Sequence, residues 1–319
     1  MNNVVLSPVA MSIFGTIEVS DESITNYGYA LLAIAGADHE ISELEYQWLQ
    51  TNFCELLFIP RHVESKFQLF DFRNADIEKI LSKINIKSEV NIKMLLIYHS
   101  MQMATADNNF HKKERIALEK AAKLLGISEY QVHAIEHLTK VERSLTDMRK
   151  ALFEVKEEAP NIKIDKDIRY KMNSWVTLNF GHTYTTYESL KAYYQLLLII
   201  CGSDGKVADS EMEWLEMTAL IAGTPPDIIE SLRSYDYKNG DVAKLFSRIV
   251  TDTHQNMQRI SLYWAMLMCR ADGIYADKER KSIEDAADLL NVEHEVIDYL
   301  ENLVEVEISV EGFKKRLLS

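Results

Sequence analysis

An aspartate followed seven residues later by a glutamate recurs four times in this chain: Asp38 with Glu45, Asp107 with Glu114, Asp204 with Glu211, and Asp272 with Glu279. In each copy the residue three after the aspartate is bulky and apolar: Ile41, Phe110, Val207 or Tyr275. Carboxylates gathered in one loop are the ligands that hard divalent cations prefer. The stretch Asp38-His39-Glu40-Ile41-Ser42-Glu43-Leu44-Glu45 offers several such oxygens. The frame is not an EF-hand, since the Asp-x-Asp-x-Asp-Gly core and its closing glutamate are missing. The metal candidates are Asp38, Glu45, Asp204, Glu211, Asp272 and Glu279, for a divalent cation such as Ca²⁺ or Zn²⁺, with the first and third copies best placed. The second copy, crowded by Asn108, Asn109, His111, Lys112 and Lys113, is a poor cation site. A plainer reading leads. The aspartate ends one helix and satisfies amides of a tight loop, while the glutamate sits near the start of the next. There it accepts from unpaired N–H groups and meets the positive end of the helix dipole, worth about 0.3–1 kcal/mol. Gly205 and Gly273 permit the positive φ such a turn needs, and Asn108 tolerates it better than most residues.

A second constellation is His133-Ala134-Ile135-Glu136-His137, an H-x-x-E-H pattern. Two histidines four apart on a helix can bind zinc while the glutamate acts as base. A metal-dependent zinc hydrolase using the His133/Glu136/His137 face is the alternative function. The same positions 165 residues later are Asp298, Glu301 and Asn302, which reads as a solvated polar face. No P-loop, nucleophile elbow or dinucleotide turn occurs, and no catalytic residue is assigned. The aromatic-rich segment running from Trp175 and Phe180 to Tyr193-Tyr194 reads first as core packing and second as a partner or dimer surface.

The elements that must position these groups are revealed by repetition. Asp38 and Asp204 stand 166 residues apart, as do Trp48/Trp214 and Pro60/Pro226. Asp107/Asp272, Asn91/Asn256, Tyr98/Tyr263 and Met101/Met266 coincide at 165. The chain is a tandem duplication, and within each half the frame occurs twice. We expect an all-α architecture of two tandem domains, 1–154 and 166–319, joined by a linker at 155–165 where Lys156-Glu157-Glu158-Ala159-Pro160 breaks the helical pattern. Each domain is built from two related helix-turn-helix halves. Ser23 is expected to cap a helix ending near Ala37, and Ser42-x-x-Glu45 has the form of a capping box. Ser88 or Glu89 opens an apolar helix. Separate helices are expected over 128–141 and 144–153, and again over 293–306 and 310–318. Strand alternation is scarce, and 173–184 is left open.

The formal net charge is -14, with 35 basic and 49 acidic residues among 319. Residues 1–159 carry a net -6 and the remainder -8, so both halves are acidic. Nucleic acid and anionic membrane are therefore poor partners, and a protein partner with a basic surface is a better one. Cys54, Cys201 and Cys269 are isolated and odd in number, with no CxxC, which points to free thiols in a reducing compartment. The longest apolar run falls far short of a membrane span. These features lead to an expectation of a cytoplasmic protein with no membrane insertion.

Ala271-Asp272-Gly273 with Glu279, Ser203-Asp204-Gly205 with Val207 and Glu211, and Ala37-Asp38 with Ile41, Ser42 and Glu45 carry a family resemblance. The pattern, apolar-Ala-Asp-Gly-x-apolar followed by a glutamate opening a helix, resembles the signature of TerB-like domains, named for a tellurite-resistance protein. The resemblance covers about 20–150 and 185–318, one domain per half. It implies a compact helical, non-enzymatic binding or scaffold module associated with stress responses, with metal binding suspected at the acidic positions. His39, Asn108-Asn109 and Lys112-Lys113 depart from the family pattern.

Overall fold

The computed structural model describes residues 3–155 and 164–319, the Asp204 side chain excepted, so most of the expected linker lies outside the described residues. Among these the chain is all-α apart from two short antiparallel strand pairs. It folds as two compact units. The first comprises Met1–Arg143 with Ser309–Ser319, and the second Ser144–Ile308. No helix among the described residues is long and apolar enough to cross a membrane.

In the first unit, β1 (Asn3–Val5) pairs with β2 (Glu18–Ser20) around α1 (Val9–Phe14). The strands occupy a stretch without marked alternation. Ser20 rather than Ser23 caps α2 (Asp21–Ala35), its hydroxyl accepting the Ser23 N–H at 3.1 Å. α2 is apolar nearly all round, with Ile24, Tyr27, Ala30, Leu31 and Ile34 fully buried, so it runs through the core rather than along its surface. After α3 (Glu43–Trp48), a π-helical stretch at Leu49–Glu55 and α4 (Arg61–Gln68), the short α5 (Ile77–Leu81) leads to α6 (Ile92–Ala104). α6 is capped by Asn91 and packs along α2. α7 (Lys112–Leu125) ends at Gly126, which takes the left-handed φ of 76°. α8 (Glu129–Phe153) is one helix where two were expected. No proline or glycine interrupts the residues around Ser144, and the helix simply continues through it.

The second unit repeats the plan. β3 (Arg169–Lys171) pairs with β4 (Tyr184–Thr186) around α9 (Ser174–Phe180), which occupies the stretch left open from sequence. α10 (Tyr187–Cys201), α11 (Asp209–Ile221), α12 (Pro226–Leu232), α13 (Val242–Phe246), α14 (Met257–Cys269), α15 (Asp277–Leu289) and α16 (His294–Leu318) follow. α16 is again one helix in place of two.

The ends of α8 and α16 are exchanged between the units. From Ser144 onward α8 belongs to the second unit, and from Ser309 onward α16 belongs to the first. In the first unit the Tyr98 hydroxyl donates to Glu142 at 2.8 Å, and the Lys314 ammonium stands 3.3 Å from the same carboxylate. The Leu318 carbonyl accepts the Asn91 N–H at 3.1 Å, and its side chain is buried in the core. The second unit reproduces each contact at the 165-residue offset. Tyr263 donates to Glu307 at 2.6 Å, Arg149 stands 3.3 Å from Glu307, and the Phe153 carbonyl accepts the Asn256 N–H at 2.8 Å. The cation and the closing hydrophobe of each unit therefore come from the other repeat's last helix.

Candidate functional site

Each Asp-to-Glu frame forms the same joint. In three copies the aspartate side chain closes the turn by accepting the N–H two residues on: Asp38 from Glu40 at 2.9 Å, Asp107 from Asn109 at 2.8 Å, and Asp272 from Ile274 at 2.7 Å. Asp204 ends the matching turn, Gly202–Asp204. The next residue is left-handed in all four: His39 at φ 82°, Asn108 at 68°, Gly205 at 107° and Gly273 at 81°. The apolar third residue packs inward, and four residues later the glutamate reaches back to the amide that precedes its helix. Glu45 accepts from Ser42 N–H at 2.7 Å, Glu114 from His111 at 2.8 Å, Glu211 from Ala208 at 2.5 Å and Glu279 from Ala276 at 2.7 Å. Only Ser42 and His111 return the favour with a side-chain acceptor, so the reciprocal capping box is complete in the first unit and half-made in the second. Gly36 and Gly202 precede the joints because the rings of Phe72 and Tyr237 lie where a Cβ would stand.

These four glutamates are buried to 6% exposure or less, which a capping carboxylate at a helix surface does not require. The joints pair within each unit, because α7 packs on the turn Gly36–Asp38 and α15 on the turn Gly202–Asp204. In the first unit this brings the second copy's acids, which looked unpromising in isolation, up to those of the first. Burial pushes the Glu114 carboxyl up to about 8, and the charges of Glu45, Asp38 and Asp107 push the same way, against the His111 amide. Glu45 is raised for the same reasons, with Asp107 and Asp38 adding to burial. Its Oε1 is buried without a hydrogen-bond partner.

In the second unit the pairing gathers different chemistry. Cys201 and Cys269 stand three residues before Asp204 and Asp272, where the first unit has Ala35 and Ala104. The sulfurs of Cys201 and Cys269 and a carboxylate oxygen of Glu279 lie within 4.8 Å of one another, all buried. Cys201 also donates to Glu211 Oε1 at 3.2 Å. Its hydrogen bond with Cys269, together with burial, holds the Cys201 thiol protonated. The cysteines stand far apart in the sequence. Their common position relative to the aspartates was the available signal.

The H-x-x-E-H face is otherwise employed. Arg115 grips Glu136 with two guanidinium bonds of 3.0 and 2.9 Å, and Lys140 adds a third at 2.8 Å. The Arg115 hydrogen bond chiefly, then Lys140, hold the Glu136 carboxyl down at about 2, the wrong direction for a general base at neutral pH. The matching pair in the second unit, Arg280 with Glu301 at 3.1 Å, lacks histidines altogether. Trp175, Phe180 and Trp264 pack on one another, with Phe180 buried, beside an apolar cavity in the second unit that Tyr193 and Tyr194 also line.

The family described as Tellurite resistance protein TerB matches residues 61–137, from α4 into α8, a span that contains one complete joint, Asp107 to Glu114. No curated protein matches, and no solved structure does.

Proposed function

We propose that the chain is a tandem of two TerB-like units acting as a non-enzymatic binding protein in a stress response, and that the paired joints of the first unit take a hard divalent cation such as Ca²⁺. The observation that carries the cation reading is the buried unpartnered Glu45 Oε1 amid Asp38, Asp107 and Glu114. Like charges held together in low dielectric are relieved by a proton or by a cation, and oxygen donors select the hard ions. The TerB match to residues 61–137 supports the family reading there, and the repeated joint extends it to the second unit. The even acidity of both halves favours a protein partner with a basic surface over nucleic acid.

Calorimetric titration of the metal-stripped chain with Ca²⁺ tests the cation reading. Binding should accompany a rise in melting temperature, and both should be lost in Asp38→Asn and in Glu114→Gln. No heat and no melting shift at millimolar Ca²⁺ would end this reading. The hydrolase alternative predicts stoichiometric zinc that disappears with His133→Ala and His137→Ala. With Glu136 committed to Arg115 and Lys140, we expect that double substitution to leave metal content unchanged.

A further inference from the structure

We infer that the second unit binds a thiophilic divalent ion, of the zinc and cadmium class, between Cys201, Cys269 and Glu279, with Glu211 as the fourth ligand. This rests on the sulfurs and stands independently of cation binding in the first unit.

The donor set is what such an ion selects. Borderline-soft closed-shell ions take sulfur and oxygen donors in a tetrahedron, with metal–sulfur bonds of about 2.3 Å and metal–oxygen bonds of about 2.0 Å. Such bonds set the donors roughly 3.5 Å apart. The two sulfurs and the Glu279 oxygen already lie within 4.8 Å of one another, and Glu211 Oε1 is 3.2 Å from the Cys201 sulfur. Closing the shell takes shifts on the order of an ångström, well within side-chain rotation. The backbone fixes the donors in advance. Cys201 and Cys269 are the last residues of α10 and α14, and Glu211 and Glu279 lie in the first turns of α11 and α15. Each glutamate is anchored by one oxygen on its own helix-start amide, Ala208 or Ala276.

The first unit supplies the comparison. Its equivalent glutamates, Glu45 and Glu114, sit at the same joints, but Ala35 and Ala104 replace the two thiols. That site has oxygens alone to offer. The duplication thus yields one oxygen site and one sulfur–oxygen site on a single scaffold, with opposite metal preference. On binding, each thiol passes its proton to solvent as its metal–sulfur bond forms, so uptake releases protons and weakens as pH falls.

The test uses the full chain, reduced and stripped with chelator, titrated with Cd²⁺ and Co²⁺. One ion per chain should bind, with a thiolate-to-cadmium charge-transfer band in the ultraviolet and the intense visible spectrum of tetrahedral cobalt. Cys201→Ala with Cys269→Ala installs the residues that the first unit carries at these positions. It should abolish the band and weaken zinc on the order of a hundredfold or more, while leaving the Ca²⁺ titration and its Asp38→Asn response as in the parent. Should the double variant fold poorly, Glu279→Gln, which keeps both thiols, should still weaken zinc while preserving a thiolate band. Absence of a thiolate band in the parent, equal zinc affinity in the double variant, or recovery of the chain with a Cys201–Cys269 disulfide that excludes metal would each overturn the proposal. A thiolate band without Ca²⁺ binding would end the first-unit reading alone, and the reverse result would end this one alone.

Discussion

His99 makes the first unit's core sensitive to pH. Its ring is surrounded by Phe14, Tyr27, Trp48 and Tyr98, and its Nδ1 is 2.9 Å from the fully buried Tyr27 hydroxyl. Burial, aided by the charge of Lys314, drives its pKa down to about 3. An unfolded histidine takes up its proton near 6.5. Below that pH the unfolded chain binds a proton that the folded chain refuses. The neutral His99 contribution is therefore complete above about 6.5 and is lost as pH falls toward 3. His99→Phe should flatten the unfolding free energy over that interval, measured by urea melts at several pH values. At neutral pH the same variant should be less stable by about 1–3 kcal/mol, because the Tyr27 hydroxyl is left buried without its partner. The duplicate position is Trp264, whose indole carries no group that titrates in this range.

At the scale of the element, the joint is one device with four degrees of completion, and the differences are measurable. Ser42 accepts the Glu45 N–H at 3.3 Å, whereas Ala208 and Ala276 have no side-chain oxygen with which to accept the corresponding amide. Ala208→Ser and Ala276→Ser should each raise stability by about 1 kcal/mol, read from the shift in denaturation midpoint at constant slope. The left-handed residue offers the reverse comparison. His39→Gly should stabilise by up to about 1 kcal/mol if relief of the strained φ outweighs Gly entropy in the unfolded chain, and Gly205→Ala should destabilise by a similar amount. These joints were legible in the sequence because their parts are local: a cap, a turn residue and a glutamate at fixed spacing. The pairing of joints was not, since it depends on α7 and α15 packing on turns some seventy residues earlier, and nothing in the local pattern of Lys112-Lys113 or of Cys201 carries that distance. The helix count failed for a related reason. The expected breaks before Ser144 and Val310 do not occur, because a serine caps only where the chain turns, and α8 and α16 run on through both places.

Across the whole molecule, the duplication is legible and its consequence for assembly is not. An offset of 165 says which residues correspond, but not that Lys314 serves Glu142 while Arg149 serves Glu307. A chain ending at residue 308 should therefore lose stability in the first unit, not in the second, to which the rest of α16 belongs. Removal of buried Leu318 alone should cost about 2–5 kcal/mol. Hydrogen exchange read separately on α2 and α10 checks the assignment, with α2 the faster in the truncated chain. Equal protection of both, or loss confined to α10, would contradict it.

The exchanged helix ends also set an order in time. A ribosome delivers α1 to α7 early, yet the first unit lacks the residue that covers its core until residues 309–319 have been made. The second unit, by contrast, receives Arg149 and Phe153 before its own helices appear. The earlier-made half waits, its closing contact joining Asn91 to Leu318 across almost the entire remaining chain, and such distant closures are slow. The half synthesised second is therefore the one equipped to finish first.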